Sequence, residues 1–504
     1  MDFAQPTSME KTTATDPPPQ EIPSHAPDEG GSLSRPPAST WTIVSLTIAL
    51  CLGIFCMSLD VTIITTAIPR ITDQFDSIGD IVGSLVCGVT PTSVSLILGR
   101  CIAGLGAGGL FSGSLLIIAQ TVPLHRRPVF TALLGSMYGI ASVAGPPLGG
   151  ALTDRVSWRW CFYINLPIGA VTAVFVLFFF HAPESVRRRP ELRKLLSELD
   201  PIGSFFFLPA IVCLLLALQW GGTQYSWNNP RIIVLFVLAG VLLFAFLGVQ
   251  IYQNEKATLP PRIVRNRNIW SSAWFAITLN GAYFVFIYYL PIWFQAIKGA
   301  SATKSGVMNL PTIIAVVVVS ILSGLVTISG YYNPVMIMSS VILAIGAGLL
   351  STLKTDSGSG EWVGYQILMG LGVGLGMQQP YIVVQNVLPD GDIPTGTAVI
   401  TFAQTLGGAI FISVGQNIFQ NQFVHAMRLE DPSVNVGAVL SAGMTTLRKH
   451  LPAEQLPVVL RSYNSAITEA FYVGMALAAL SFFGTVALDW KSVKKPRNAP
   501  PDDD

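Results

Sequence analysis

"IIVLFVLAGVLLFAFLGVQIY" runs from residue 232 to residue 252 without one charged side chain. A helix needs about 20 apolar residues to cross the hydrocarbon core of a bilayer, which is about 30 Å thick. This stretch therefore predicts a transmembrane helix. The rest of the chain agrees, because 51% of its 504 residues are hydrophobic and only 11% are charged, far from the averages of soluble domains. We expect an integral membrane protein.

Apolar runs of similar length recur along the chain. Strands of a membrane β-barrel would alternate over about 10 residues, whereas these runs are continuous. The sequence therefore predicts an all-α membrane bundle of about twelve full spans. The predicted spans are residues 41–69, 92–121, 129–152, 161–182, 201–221, 232–252, 270–294, 306–328, 334–353, 362–388, 396–419 and 467–489.

The segments outside these runs set the orientation. Residues 1–40 are rich in Pro and polar residues, and too few of them are apolar to form a core, so we expect a disordered tail. Lys and Arg concentrate in the loops on the same side as both tails, which places that side in the cytosol. The six cysteines show no metal-ligand spacing, and we expect neither a metal nor a cofactor.

Two ionisable residues lie well inside the apolar runs. Asp60 occurs in "CMSLDVTIITTAIPRI" and Arg100 in "LILGRCIAGLGAGG". A charge at the bilayer centre costs at least about 2.5 kcal/mol, and the two residues lie at similar depth, so their side chains can pair. Asp60 then binds and releases a proton as its exposure changes. The alternative is structural: nearby hydroxyls such as that of Ser58 cap Asp60, and Arg100 snorkels outward.

Small residues recur every four positions in several runs, which favours close helix packing. In "LLGSMYGIASVAGPPLGGAL" these are Gly135 with Gly139, and Ala141 with Gly145 and Gly149. The two prolines that follow Gly145 remove backbone donors, and we expect a bend there. Similar glycine pairs are Gly104 with Gly108 and Gly372 with Gly376.

Six segments together resemble one family. They are "SLDVTIITTAIPRI", "LILGRCIAGLGAGGL", "AGPPLGGAL", "WRWCFYINLPIG", "YYLPIWFQAIKGASATKSG" and "GLGVGLGMQQP". In this order they resemble the fourteen-span drug:proton antiporters of the major facilitator superfamily, in particular fungal multidrug and toxin efflux pumps. The resemblance covers nearly the whole chain after residue 40.

The resemblance implies two helical bundles around a central cavity, with two extra spans between them, working by alternating access. It gives a cytosolic tail at 1–40, an N-terminal bundle at 41–182, a linker region with the extra spans at 183–269, a C-terminal bundle at 270–490 and a second tail at 491–504. It assigns proton coupling to Asp60 and Arg100. Its antiporter motif, which governs closure, falls on Ala141, Gly145, Pro146, Gly149 and Gly150.

Substrate contacts are predicted from chemistry alone. A cavity for bulky apolar compounds needs aromatic walls and a few polar groups. The candidates at cavity depth are Asn280, Tyr283, Gln295, Gln379 and Gln404. A structural role explains each of them as well.

The first bundle departs from the family pattern. "AIPRITDQFDSIGD" resembles the outer loop after the first span, and it leads directly into "IVGSLVCGVTPTSVSLILGR", which resembles the end of the third span and the start of the fourth. The apolar patch between them, Ile81 to Val89, rises only about 13 Å as a helix and cannot cross a bilayer. We expect the second span and most of the third span of the family to be missing.

These observations predict a proton-coupled exporter of small organic molecules, such as a fungal toxin, a secondary metabolite or a drug. We expect a monomer that contacts its substrate, protons and the bilayer, with no nucleic acid, in the plasma membrane or, alternatively, the vacuolar membrane. Two other functions stay open: a nutrient or iron-chelate transporter on the same scaffold, and a truncated, non-transporting membrane protein. An enzyme is disfavoured because the spans bring no His cluster or facing carboxylates together.

Overall fold

The computed structural model describes residues 40–75, 93–123, 126–157, 159–179, 200–222, 225–254, 257–327, 330–389, 391–430 and 455–492. Within these ranges the regular structure is helical, apart from two isolated β-bridges. The predicted all-α class is therefore confirmed. The expected tail at 1–40 lies outside the described residues except for Thr40, and the patch from Ile81 to Val89 lies wholly outside them.

Sixteen helices make up the described part of the chain. They are α1 (Thr40–Phe75), α2 (Ser93–Thr121), α3 (Arg127–Arg155), α4 (Trp160–Tyr163), α5 (Asn165–Phe179), α6 (Pro201–Trp220), α7 (Pro230–Gln253), α8 (Pro261–Val264), α9 (Arg267–Ala296), α10 (Ala302–Met308), α11 (Leu310–Thr327), α12 (Asn333–Leu350), α13 (Ser359–Gly376), α14 (Gln379–Val387), α15 (Ile393–Glu430) and α16 (Leu456–Val486).

Every predicted span overlaps helix in the described part of the chain, although several spans also contain non-helical residues, such as Asn309 and residues 351–353. In those parts, nine spans are long and apolar enough to cross a membrane: α2, α6, α7, α9, α11, α12, the α13–α14 pair, α15 and α16. The three remaining predicted spans fall on α1, on α3 and on α4 with α5. One predicted span, 362–388, is two helices, because the chain changes from α13 to α14 at Met377 and Gln378.

The C-terminal helices pack around α9. This helix contacts α15 and α16, while α12 packs against α13 and α16. The face of α9 that these neighbours cover is fully buried and includes Phe286, Tyr289 and Trp293. Inside a bilayer, helices associate through close packing rather than through loss of water from apolar surface, so these large rings fill the volume between the helices.

The glycines of α13 let it approach two helices at once. An added Cβ at Gly370 would lie 2.6 Å from the carbonyl oxygen of Thr312 in α11, and one at Gly374 would lie 2.7 Å from that of Val316. Gly372 and Gly376 instead contact Leu343 and Ser339 in α12, which agrees with the close packing expected at this pair. The "GLGVGLG" sequence therefore allows α13 to lie between α11 and α12.

A buried aspartate ties the two extra helices together. Asp200 caps the start of α6 in a left-handed conformation, with φ of 44°, and it accepts hydrogen bonds from the Gly203 backbone, from Gln250 and Gln253 of α7, and from Thr258. Burial opposes ionisation of the carboxyl, but these donors outweigh it and lower the pKa of Asp200 to about 2. The start of α6 is thus fastened to the end of α7.

Candidate functional site

The structure brings Asp60 and Arg100 together. Asp60 lies on α1 and Arg100 on α2, and the Arg100 guanidinium donates to Asp60 Oδ2 at 2.5 Å. Their side chains are 12% and 13% exposed. Removing one partner of a charged pair that is largely shielded from water leaves the other charge uncompensated, which is strongly destabilising. This geometry is what a proton-binding carboxylate needs, although the role itself stays a prediction.

A third helix completes the surroundings of Asp60. Asn165, the first residue of α5, donates through Nδ2 to Asp60 Oδ1 at 3.1 Å. The Cys56 thiol, one turn before Asp60 on α1, contacts the Asn165 carbonyl oxygen at 3.3 Å. Each carboxylate oxygen therefore has a donor from a different helix, so a movement of α2 or α5 against α1 changes the environment of the carboxylate. The segment "WRWCFYINLPIG" contains Asn165, but nothing in its local sequence indicates that its side chain reaches Asp60.

The predicted antiporter motif lies on α3, which runs through both prolines as one helix. Ala141, Gly145 and Gly149 are buried, and the Gly149 carbonyl oxygen lies 3.8 Å from the Cys161 thiol of α4. Pro146 and Gly150 lie in the same helix. The buried small residues of the motif therefore lie on one continuous helix, and the effect of the motif on closure stays a prediction.

Helix α3 also makes the main contact across the two predicted bundles, against α11. Gly139 packs on Val317, and an added Cβ at Gly324 would lie 2.7 Å from the carbonyl oxygen of Pro128. Gly135 contacts the side chain of Gln378, just before α14. The close approach predicted for Gly135 and Gly139 is present, and its partner is the second half of the chain.

The predicted close approach at Gly104 and Gly108 of α2 is wrong for the described residues. Nothing among them lies within 4 Å of an added Cβ at either glycine, or at Gly106 and Gly109. All four are exposed. The glycine face of α2 has no helix packed on it within the described part of the chain.

An apolar cluster joins the two halves at the ends that carry the basic loops. We call it the inner seal. An ion pair of 2.8 Å between Arg262 and Asp392 fastens α8 to the start of α15 at the same end. Within the described residues, the two halves therefore contact each other on the predicted cytosolic side. The seal comprises Leu50, Ile54, Leu115, Ile118, Ala119, Val122, Leu134, Ile263, Ile269, Ala273, Ala276, Tyr381, Val384, Leu388, Ile393, Ile400 and Ala403.

The candidate substrate residues do not converge on one cavity in this conformation. Asn280 and Tyr283 are buried in α9, and the Asn280 amide donates to the Ala276 carbonyl oxygen in its own helix. Gln295 bonds to Ser305 near the outer end, whereas Gln379 bonds to α11.

Gln404 accepts from the Tyr381 hydroxyl at 2.8 Å and donates to the Met377 carbonyl oxygen. It therefore links α15 to α14 at the edge of the inner seal. With the polar atoms of Gln379 and Gln404 bonded to protein, substrate contact by any of the five candidate residues stays a prediction.

The family model named Major Facilitator Superfamily matches residues 77–412. The chain belongs to the major facilitator superfamily. It is therefore a multi-pass membrane protein of a transporter family, and the family places it among transporters rather than enzymes. The matched stretch contains Arg100 and the α3 motif but leaves out α1, which carries Asp60.

Fungal relatives match almost the whole chain. "Efflux pump roqT" of Penicillium rubens is 83% identical and covers 98% of this chain and 99% of its own length. "MFS-type transporter astH" of Aspergillus oryzae is 51% identical over 90% of this chain and 88% of its own. "Efflux pump aunC" of Aspergillus niger is 48% identical over 92% and 96%. The resemblance to fungal efflux pumps of this superfamily is confirmed.

The alignment with roqT is longer than this chain. It extends over 535 positions, whereas the chain has 504 residues. At least 31 aligned positions of the relative therefore have no counterpart here.

Proposed function

We propose that the chain exports small organic molecules across the plasma membrane, as a monomer, in exchange for protons. The buried ion pair between Asp60 and Arg100 carries the proposal, because a carboxylate held between three helices can change its proton affinity when those helices move. The relatives named efflux pumps support the outward direction. The inner seal supports alternating access, since a transporter must close one side before it opens the other.

The test is an efflux and resistance panel in a host that lacks its own pumps. Cells that express the chain are expected to retain less of a substrate and to tolerate it better, and the Asp60→Asn variant is expected to lose both effects. A nutrient or chelate importer would instead accumulate its substrate. Unchanged export by Asp60→Asn would contradict the proton role while leaving export itself intact.

We also infer that the positions absent from this chain are the family's second span and most of its third. Three observations support this interpretation. The alignment with roqT has at least 31 positions without a counterpart in this chain. The family match begins at residue 77, just after α1 ends at Phe75. The glycine face of α2 lacks a packing partner among the described residues. A non-transporting form is thus the second candidate function.

A direct comparison separates these two candidates. One version is the chain as it stands, and the other carries the extra roqT positions inserted between Phe75 and Ser93. If the spans are needed, only the longer version exports, at matched expression. Equal export by both would show that the shorter bundle works alone, and export by neither would contradict the proposed function.

A further inference from the structure

Gln385 lies on the helix that carries part of the inner seal, and its buried side-chain amide makes no hydrogen bond among the described residues. It is on α14 between two seal residues, Val384 and Leu388, and it is only 4% exposed. Neither its Nε2 nor its Oε1 has a hydrogen-bond partner among the described residues, and both atoms are shielded from water. A buried amide that makes none of its hydrogen bonds is rare in native proteins and calls for an explanation.

A second buried polar group, on the helix that packs against α14, is also unsatisfied among the described residues. Thr397 on α15 is 1% exposed, and its hydroxyl also lacks a partner in the described ranges. The preceding residue, Gly396, packs directly on Val384 and Leu388, so Thr397 is one residue away from the contact between α14 and α15. One side of the seal therefore buries polar groups without bonding them.

The position of α14 explains why this matters for a transporter. Helix α14 packs against α3 as well as against α9 and α15. It therefore lies where the first half of the chain meets the second, at the end that the inner seal closes. Separation of the halves at this end removes α3 from α14, and we infer that water then reaches the amide and satisfies it. Each unmet group thus penalises the sealed state but not the open one, by about fivefold or more in the equilibrium between them.

We propose that Gln385 is a built-in destabiliser of the inner seal, which keeps the inward-open state accessible to cytosolic substrate. A seal made only of apolar side chains would hold the chain closed on this side. This role rests on the proposed alternating access. It names the Gln385 amide as the group that sets the balance between the sealed state and the inward-open state. Gln385 acts on conformation and needs no contact with substrate.

Gln385→Met is the test variant, because methionine keeps the length of the side chain and removes both unmet groups. Gln379→Met is the matched control. Gln379 lies on the same helix and is fully buried, but its amide donates to Ser323 at 2.7 Å and to Thr327 at 3.0 Å. The same substitution therefore removes an unsatisfied amide at one position and a satisfied amide at the other.

Two measurements follow on the purified full chain in lipid nanodiscs. Spin labels at Arg126→Cys and Arg265→Cys, both exposed at the inner end, report the distance between the halves after the six native cysteines are replaced. Gln385→Met is expected to raise the ratio of short to long distances by at least about fivefold, and Gln379→Met is not. In the chain with native cysteines, Gln385→Met is expected to raise the melting temperature and Gln379→Met to lower it.

The outcomes separate the two proposals. An unchanged or longer distance in Gln385→Met, or a lower melting temperature in that variant, overturns the role of Gln385. A single distance component in every variant also overturns it. Two distance components that shift as expected, in a chain that confers no efflux, would support the role of Gln385 and contradict the proposed function.

Discussion

The most informative experiment on this protein separates the contribution of the Asp60–Arg100 pair to the free energy of unfolding from its role in transport. The two side chains are 12% and 13% exposed and 2.5 Å apart. Removing one partner of such a buried pair leaves the other charge uncompensated, which costs about 3–5 kcal/mol. We expect Asp60→Asn and Arg100→Gln each to lower the free energy of unfolding by roughly this amount. The double variant leaves no unpaired charge, so its loss is expected to be well below the sum of the two.

The assay combines denaturant titration of the purified variants with efflux from proteoliposomes under an imposed pH gradient. The double variant is expected to regain stability but not gradient-driven export, because the proton-binding carboxylate is gone. Asp489→Asn is the control. In its ion pair, the side chain of Asp489 is 45% exposed and that of Arg267 is 65% exposed. Exposed ion pairs contribute only about 0.2–1 kcal/mol to the free energy of unfolding. Additive losses in the double variant would refute the pairing, and gradient-driven export by Asp60→Asn would refute the proton role.

Three further predictions concern packing, pH and the third helix of the site. Gly324→Ala places a Cβ 2.7 Å from the backbone oxygen of Pro128, and a backbone atom cannot move aside as a side chain can. We therefore expect the halves to separate at the inner end and export to fall. The accessibility of a labelled cysteine at that end would measure the separation. The pKa of Asp200 is lowered from 3.8 to about 2, so its ionised carboxylate stabilises the fold fully above about pH 3.8, and this stabilisation is lost as the pH falls toward 2. We therefore expect Asp200→Asn to flatten the dependence of melting temperature on pH between these values. An unchanged slope would contradict this. Asn165→Ala removes one hydrogen bond to Asp60 and is expected to cost about 1–3 kcal/mol of unfolding free energy while export persists; complete loss of export would show that Asn165 does more than hold the carboxylate.

Much of the helical architecture was predictable because bilayer thickness sets a length that can be counted in residues. The run at 232–252 lies within α7, and the run at 396–419 lies within α15. The predicted end of the latter was less accurate, since α15 continues to Glu430. Hydropathy marks where a helix leaves the lipid and not where it ends.

Glycine spacing predicted close packing but not where it occurs. The pair Gly372 and Gly376 contacts α12, whereas Gly104 and Gly108 have the same spacing and no described neighbour. A small residue permits an approach, and only the arrangement of the other helices supplies the partner.

By itself, the sequence determined that this chain is a helical membrane protein of the major facilitator type and that Asp60 and Arg100 are the costly charges within it, because apolar length and buried charge are local properties. The tertiary structure decided which groups meet. Asn165 bonds to Asp60 across 105 residues of sequence, and the Gln385 amide has no hydrogen-bond partner among the described residues, whereas the Gln379 amide donates to two hydroxyls. Two glutamines on one helix have the same chemistry, and only the faces packed against them determine whether their hydrogen bonds are made.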